Sequence, residues 1–266
     1  MSKRPAPALD VIKPPDKDGA ELTPTIRDYL AEIYRLSTRG NGRDSAAYEA
    51  PAPRSDDARP YVSTSALADL LNVSAPAVNR MVSKLREMGL LDHEPYRGIA
   101  LTESGRREAL KQLRRHRIVE TFLVNVMGFG WHEVHEEADV ISRALTETIE
   151  ARMAAMAGNP TVCPHGEPIP APDGTIREPA DLLLTEAPEK QPLVLTRVRT
   201  REPDRLEYLA ALGLMPGTPL EVIHIAPFHG PLQLRIGKEY RIIGHNLAEM
   251  VRVEPEPPDS PKDTRS

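Results

Sequence analysis

Between residues 63 and 105 the spacing of apolar positions changes twice. Leu67, Leu70 and Leu71 fall on one side of a short helix. Asn72-Val73-Ser74 makes a tight turn, and a second helix from about Ser74 carries Val78, Met81, Val82 and Leu85 at helical spacing. Gly89 stops that helix. A polar hairpin, His93 to Gly98, then separates two apolar runs. The pattern is that of a winged helix-turn-helix, a unit that lays its second helix in the DNA major groove.

The same reading extends to either side. Thr23 or Thr25 opens an earlier helix with Ile26, Tyr29, Leu30, Ile33, Tyr34 and Leu36 as its apolar stripe. Residues 38–60 lack periodicity and read as a flexible insertion. Thr102-Glu103-Ser104 starts a long helix to about Met127, Gly128-Phe129-Gly130 breaks it, and a further helix runs from about Trp131 to Met156. Residues 158–191 are proline-rich and read as a linker with a short helix near Pro179 to Leu184. Within 192–254 the runs PLVLTRVR, PLEVIHIAP, PLQLRIG, EYRII and MVRVEP are β-rich, with a helix, Asp204 to Leu212, after the first. Short strands this closely spaced predict a small SH3-like barrel.

The fold class is therefore mainly α with a small β domain. The expected organisation is a tail (1–22), a DNA-binding domain (23–101), a helical dimerisation domain (102–157), the linker, the barrel (192–254) and a second tail (255–266).

Composition narrows this only a little. A net charge of −5 excludes a generic polyanion binder. One local basic run, RREALKQLRRHR at 106–117, is either a nucleic-acid face or a solvated helix face. The single cysteine, Cys163, excludes an internal disulfide and fits a reducing cytoplasm. No segment approaches the ~20 apolar residues needed to span a bilayer, so no membrane partner is expected. No Gly-rich phosphate loop or Ser-His-Asp order is present, which argues against an enzyme.

Several motifs, in order, resemble the diphtheria-toxin-repressor family of metal-dependent regulators. TPTIRDYLAEIYRL (23–36) is similar to its first helix, especially in the manganese branch. YRGIALTESG (96–105) resembles its wing, RRHRIVETFLVNVMGFGWHEVHEEAD (114–139) its metal-binding helices, and CPHGEPIP (163–170) its interdomain turn. The resemblance implies a cytoplasmic homodimer that represses iron or manganese homeostasis genes. It would bind a palindromic double-stranded operator once a divalent metal is bound: Mn or Fe(II), with Zn or Co as alternatives. A regulator of the same fold that has lost sensing at one site is the alternative reading.

His116 and Glu120 are four apart and share a helix face, while His135 follows across the Gly-rich turn. Imidazole plus carboxylate suits Fe, Mn, Zn or Co. The resemblance places these three at the family's ancillary site and adds Glu202 as a further carboxylate; Arg205 falls at an amide-ligand position and cannot ligate. The family's primary site is degenerate here. Asp28 and Asp139 match ligand positions, but Ala31, Ser142 and Arg143 replace donors. Arg143 is expected to pair with Asp28 or Asp139 and stand in for the metal's charge. Cys163 and His165 read as a structural turn, and His132 as surface.

For DNA, Ser74, Ala75, Pro76, Ala77, Asn79 and Arg80 open the second helix, with Ser74 as its cap. Asn79 suits adenine, Arg80 guanine or phosphate, and Pro76 a thymine methyl. Lys84 and Arg97, the latter at the wing tip, suit backbone phosphates.

Overall fold

The computed structural model describes residues 22–39 and 59–256. The two expected tails and the 38–60 insertion lie almost wholly outside the described residues.

The N-terminal half is helical. Helix α1 (Pro24–Arg39) starts with a proline in its first turn, where no backbone N–H is needed, and Thr23 Oγ1 accepts from the amide of Ile26 at 3.4 Å. Helix α2 (Thr64–Leu71) is capped by Ser63, whose hydroxyl accepts from Ala66, and ends at Asn72 in the left-handed region (φ 51°). Helix α3 (Ala75–Glu87) follows at once. Ser74 occupies its N-cap position with extended backbone but makes no side-chain cap bond, contrary to expectation. Pro76 in the first turn removes a donor that such a cap would serve.

The wing is an antiparallel pair, β1 (Leu91–Glu94) and β2 (Gly98–Leu101). Val62 adds a third rung by exchanging backbone bonds with Ile99. Gly98 is required there: a Cβ would lie 2.3 Å from the carbonyl oxygen of Val62. Helix α4 (Glu103–Asn125) is capped by Thr102 and packs along α1. Ile26, Leu30 and Ile33 share one core with Leu67, Val78, Val82, Leu85, Leu110 and Leu113.

The single helix expected over Trp131 to Met156 is two: α5 (Val134–Ala144) and α6 (Glu147–Met156). Leu145 turns extended and Thr146 caps the new helix, accepting from Ile149. The proline-rich stretch is packed rather than loose, with Cys163, His165 and Ile169 buried. The short helix expected near Pro179 to Leu184 is instead strand β3 (Leu182–Leu183) leading into a 3₁₀ turn (Leu184–Glu186).

The C-terminal part is an antiparallel sheet with one strand more than the sequence pattern predicts. Strands β4 (Pro192–Val198), β5 (Pro219–Ile225), β6 (Leu232–Ile236), β7 (Glu239–Ile243) and β8 (Val251–Pro255) join β3 in the order β3-β8-β4-β5-β6-β7. Helix α7 (Pro203–Ala211) connects β4 to β5, and a short helix α8 (His245–Ala248) precedes β8. Alternating Leu193/Leu195, Leu220/Val222, Leu232/Leu234 and Val251/Val253 close on Leu206 and Leu209 of α7. Trp131, from the α4–α5 connection, is buried in this same core and ties the sheet to the helical body.

Candidate metal centre and DNA-reading face

Helical periodicity puts His116 and Glu120 on the inner face of α4, and both are almost fully buried. Glu120 Oε1 lies 2.8 Å from His116 Nε2 and 2.6 Å from Nδ1 of His135, at the start of α5. Apart from that close approach of the Glu120 carboxylate, neither ring nitrogen of the buried imidazole has a hydrogen-bond partner. Burial holds His135 down, to about 4, against the opposing pull of Glu120, so the ring is neutral with a lone pair to give. Burial also works against ionisation of Glu120. His116, His135 and His165 outweigh it and hold the carboxyl well below its ordinary range.

Two further donors arrive from the turn read as purely structural. His165 Nδ1 lies 3.8 Å from Glu120 Oε2 and 3.8 Å from Cys163 Sγ. His165 Nε2 donates to the carbonyl of Trp131 at 2.7 Å, which leaves Nδ1 as the lone-pair nitrogen facing Glu120. The turn can reach this depth because Gly166 (φ +82°) lies against β4, where a Cβ would come within 2.0 Å of the Thr196 carbonyl oxygen. Burial and the charge of Glu120 push the Cys163 thiol well above its usual range, so it is protonated without a cation beside it. His116, Glu120 and His135 form one set of converging donors; Glu120, Cys163 and His165 form another, sharing Glu120. Around them is a cavity of about 60 Å³. Orphaned ring nitrogens, buried carboxylate and mixed N/O/S donors fit a divalent transition metal.

Glu202 is not brought to this centre. It is 62 % exposed in its side chain and ion-paired with Arg205 at 2.7 Å. Its position just before α7 turns it toward solvent. His132 is partly exposed beside Glu133.

Asp28 and Asp139 are not gathered into one donor set among the described residues. Asp28 accepts from Arg143 Nε at 3.0 Å, the pairing expected from the guanidinium at that position. Burial raises the Asp28 carboxyl despite Arg143. Asp139 divides its oxygens: Oδ1 faces His116 Nδ1 at 3.0 Å and Oδ2 accepts from Arg201 at 2.7 Å. Despite partial burial, His116, Arg201 and Arg35 hold Asp139 far below the usual range. Arg201 also donates to Glu32 of α1 at 3.2 Å. Arg201, between β4 and α7, thus joins the C-terminal part, the metal-site helices and the helix that backs the DNA reader.

On α3, Val78, Val82 and Leu85 face the core, while Ser74, Ala75, Pro76, Asn79, Arg80 and Lys84 are exposed and Ala77 is half-buried. Arg97 does not occupy the wing tip. It folds back onto Glu94 (2.8 Å) and over the Tyr61 ring (4.0 Å), and Tyr96, 93 % exposed, takes the tip. The basic run 106–117 is partly consumed internally. Arg114 and Arg115 pair with Glu150, and buried Arg117 binds the Pro168 carbonyl and Glu167.

Three family models match in chain order. They are the iron dependent repressor N-terminal DNA binding domain (residues 54–99), the iron dependent repressor metal binding and dimerisation domain (102–171) and the FeoA domain (182–255). The iron-dependent repressor IdeR of Mycobacterium bovis is 32% identical over 246 residues, 88% of this chain and 98% of that protein. The chain belongs to the diphtheria-toxin-repressor family. A diphtheria toxin repressor from Corynebacterium efficiens is 27% identical over 169 residues, 59% of this chain and 73% of its own length. Among solved structures of this family, a manganese-dependent transcriptional repressor in complex with manganese superposes with a TM-score of 0.73 at 32% identity. That match covers 87% of this chain and all of the other. The family supplies a mainly helical N-terminal half followed by an antiparallel C-terminal sheet, as described above.

Proposed function

We propose that this protein is a metal-responsive transcriptional repressor of iron or manganese homeostasis genes that binds a palindromic operator as a homodimer. The observation that carries this reading is the buried donor cluster around Glu120, with its unpartnered His135. His116, Glu120 and His135 would hold the ion, with His165 and Cys163 as the donors from the turn. When bound, a divalent ion supplies positive charge among these donors and cross-links α4, α5 and the 163–166 turn.

The protein's own residues carry the state of this centre to the reader. Asp139 Oδ1 faces Nδ1 of His116 at 3.0 Å; with the single ring proton on that nitrogen, Nε2 would be the lone-pair nitrogen on the Glu120 side. The other oxygen of Asp139 holds Arg201, and Arg201 holds Glu32 of α1. Helix α1 shares its core with α2 and α3, so its placement sets the angle of the reading helix. Asn79 and Arg80 would read base edges, with Ser74, Ala75, Pro76 and Ala77 lining the approach and Lys84 on phosphate. Arg97 would act through the wing, orienting Tyr61 and Glu94. Arg143, paired with Asp28, would fix α1 to α5 without a metal. Exposed Val140, Ile149 and Met156 on α5 and α6 supply apolar surface for a second copy.

Operator affinity of the purified protein, titrated with Mn, Fe(II), Co and Zn, tests this reading. A rise of about 5–150-fold over chelated protein is expected for the cognate metal. Equal affinity with every metal and with chelator would overturn it.

A further inference from the structure

A separate group of metal-type donors, sharing no residue with the Glu120 cluster, lies on the β5–β6 turn and α8. We propose that His229, His245 and Glu249 form a peripheral binding site for a zinc-class divalent ion. His229 Nδ1 lies 3.0 Å from His245 Nε2, which lies 3.3 Å from Glu249 Oε1. The three donor atoms fall within 4.8 Å of one another. Ligands held about 2.0–2.1 Å from a tetrahedral zinc are separated from each other by about 3.3 Å. The cluster is thus close to the spacing that such an ion imposes.

The donors come from two local causes. His245 and Glu249 are four apart, at the start of α8 and at its C-cap, and so face the same side. His229 is delivered by the turn between β5 and β6. There Phe228 (φ 58°) and His229 (φ 54°) are consecutive left-handed residues, and Gly230 closes the turn by donating to Pro227. His is tolerated in that conformation, whereas a bulky Phe is uncommon there. Phe228 gains nothing in exchange, being 97 % exposed. The turn brings the His229 ring edge-on to His245, with ring centroids 4.7 Å apart.

Two imidazoles and one carboxylate suit Zn, with Co and Ni as close substitutes, and disfavour Ca and Mg. Ligation through His245 Nε2 puts its proton on Nδ1, which is buried without a partner; a metal–nitrogen bond outweighs that one unsatisfied donor. Three protein donors leave a fourth position open to solvent. The ion would clip the strained turn to α8 and hold the far end of the sheet.

The test is zinc stoichiometry of the full chain, measured by competition with a chromophoric chelator, for wild type, His229→Ala and Glu249→Gln. Each variant should bind one zinc fewer per protomer, and zinc should raise the melting temperature of wild type more than that of either variant. Metal-dependent operator binding should be unchanged in both, because neither residue touches the Glu120 cluster. Glu249→Gln keeps the side-chain shape, so it remains informative if the turn variant misfolds. Wild-type zinc uptake in both variants would overturn the site. Since the readout is uptake and not repression, it stands or falls separately from the function proposed above.

Discussion

Each oxygen of Asp139 serves a different partner, His116 on one side and Arg201 on the other. That division makes one carboxylate a polar link between the buried donors and α1, beside the direct packing of α4 on α1. Replacing Arg201 by Ala should leave metal affinity, followed by calorimetry, within about threefold of wild type, because Arg201 contributes no donor. The metal-dependent gain in operator affinity, about 5–150-fold for couplings of this kind, should largely vanish. Retention of the full gain in that variant would remove Arg201 from the pathway. Asp139 was legible in the sequence as a metal-site residue, but not in this supporting role. Arg201 was not legible at all. Its partners, Glu32 and Asp139, lie far away along the chain, and an arginine beside a glutamate and a proline carries no local signature.

Among the elements, those with strong local periodicity follow the sequence closely. The reader helices α2 and α3, the wing and α4 are set by apolar spacing and by Ser63, Asn72 and Thr102 at their ends. The break between α5 and α6 was hidden because Ala144-Leu145-Thr146-Glu147 suits a helix as well as a cap. The 163–166 turn hid its chemistry for a different reason. Cys163 and His165 become donors only because the turn folds against β4 and down onto Glu120. Gly166 permits that approach, and its consequence is testable. Gly166→Ala adds a Cβ 2.0 Å from a backbone oxygen at a left-handed φ. It should cost about 2–4 kcal/mol in chemical denaturation and weaken metal binding with it. A variant as stable as wild type would show that the turn does not need its close packing.

At the scale of the whole molecule, the centre makes stability depend on pH. His135 titrates at about 4 in the folded state, below the ~6.5 of an unfolded imidazole. Between those values the unfolded chain holds the extra proton. The stability contributed by the neutral ring is therefore complete above about pH 6.5, declines as pH falls to about 4, and is exhausted below that. Glu120, held well below its ordinary range, extends the loss to lower pH. Melting temperatures of chelated protein should fall across this window, and His135→Gln should flatten the fall between pH 6.5 and 4. An unchanged slope in that variant would relocate the effect.

Metal control of operator binding is tested most directly by measuring metal affinity twice, with and without operator DNA. Linkage requires that if the metal tightens the operator by some factor, the operator tightens the metal by the same factor. The buried cluster coupled through Asp139 and Arg201 predicts matching factors in the range of about 5–150, lost together in Arg201→Ala. Metal affinity that is identical with and without operator would contradict it.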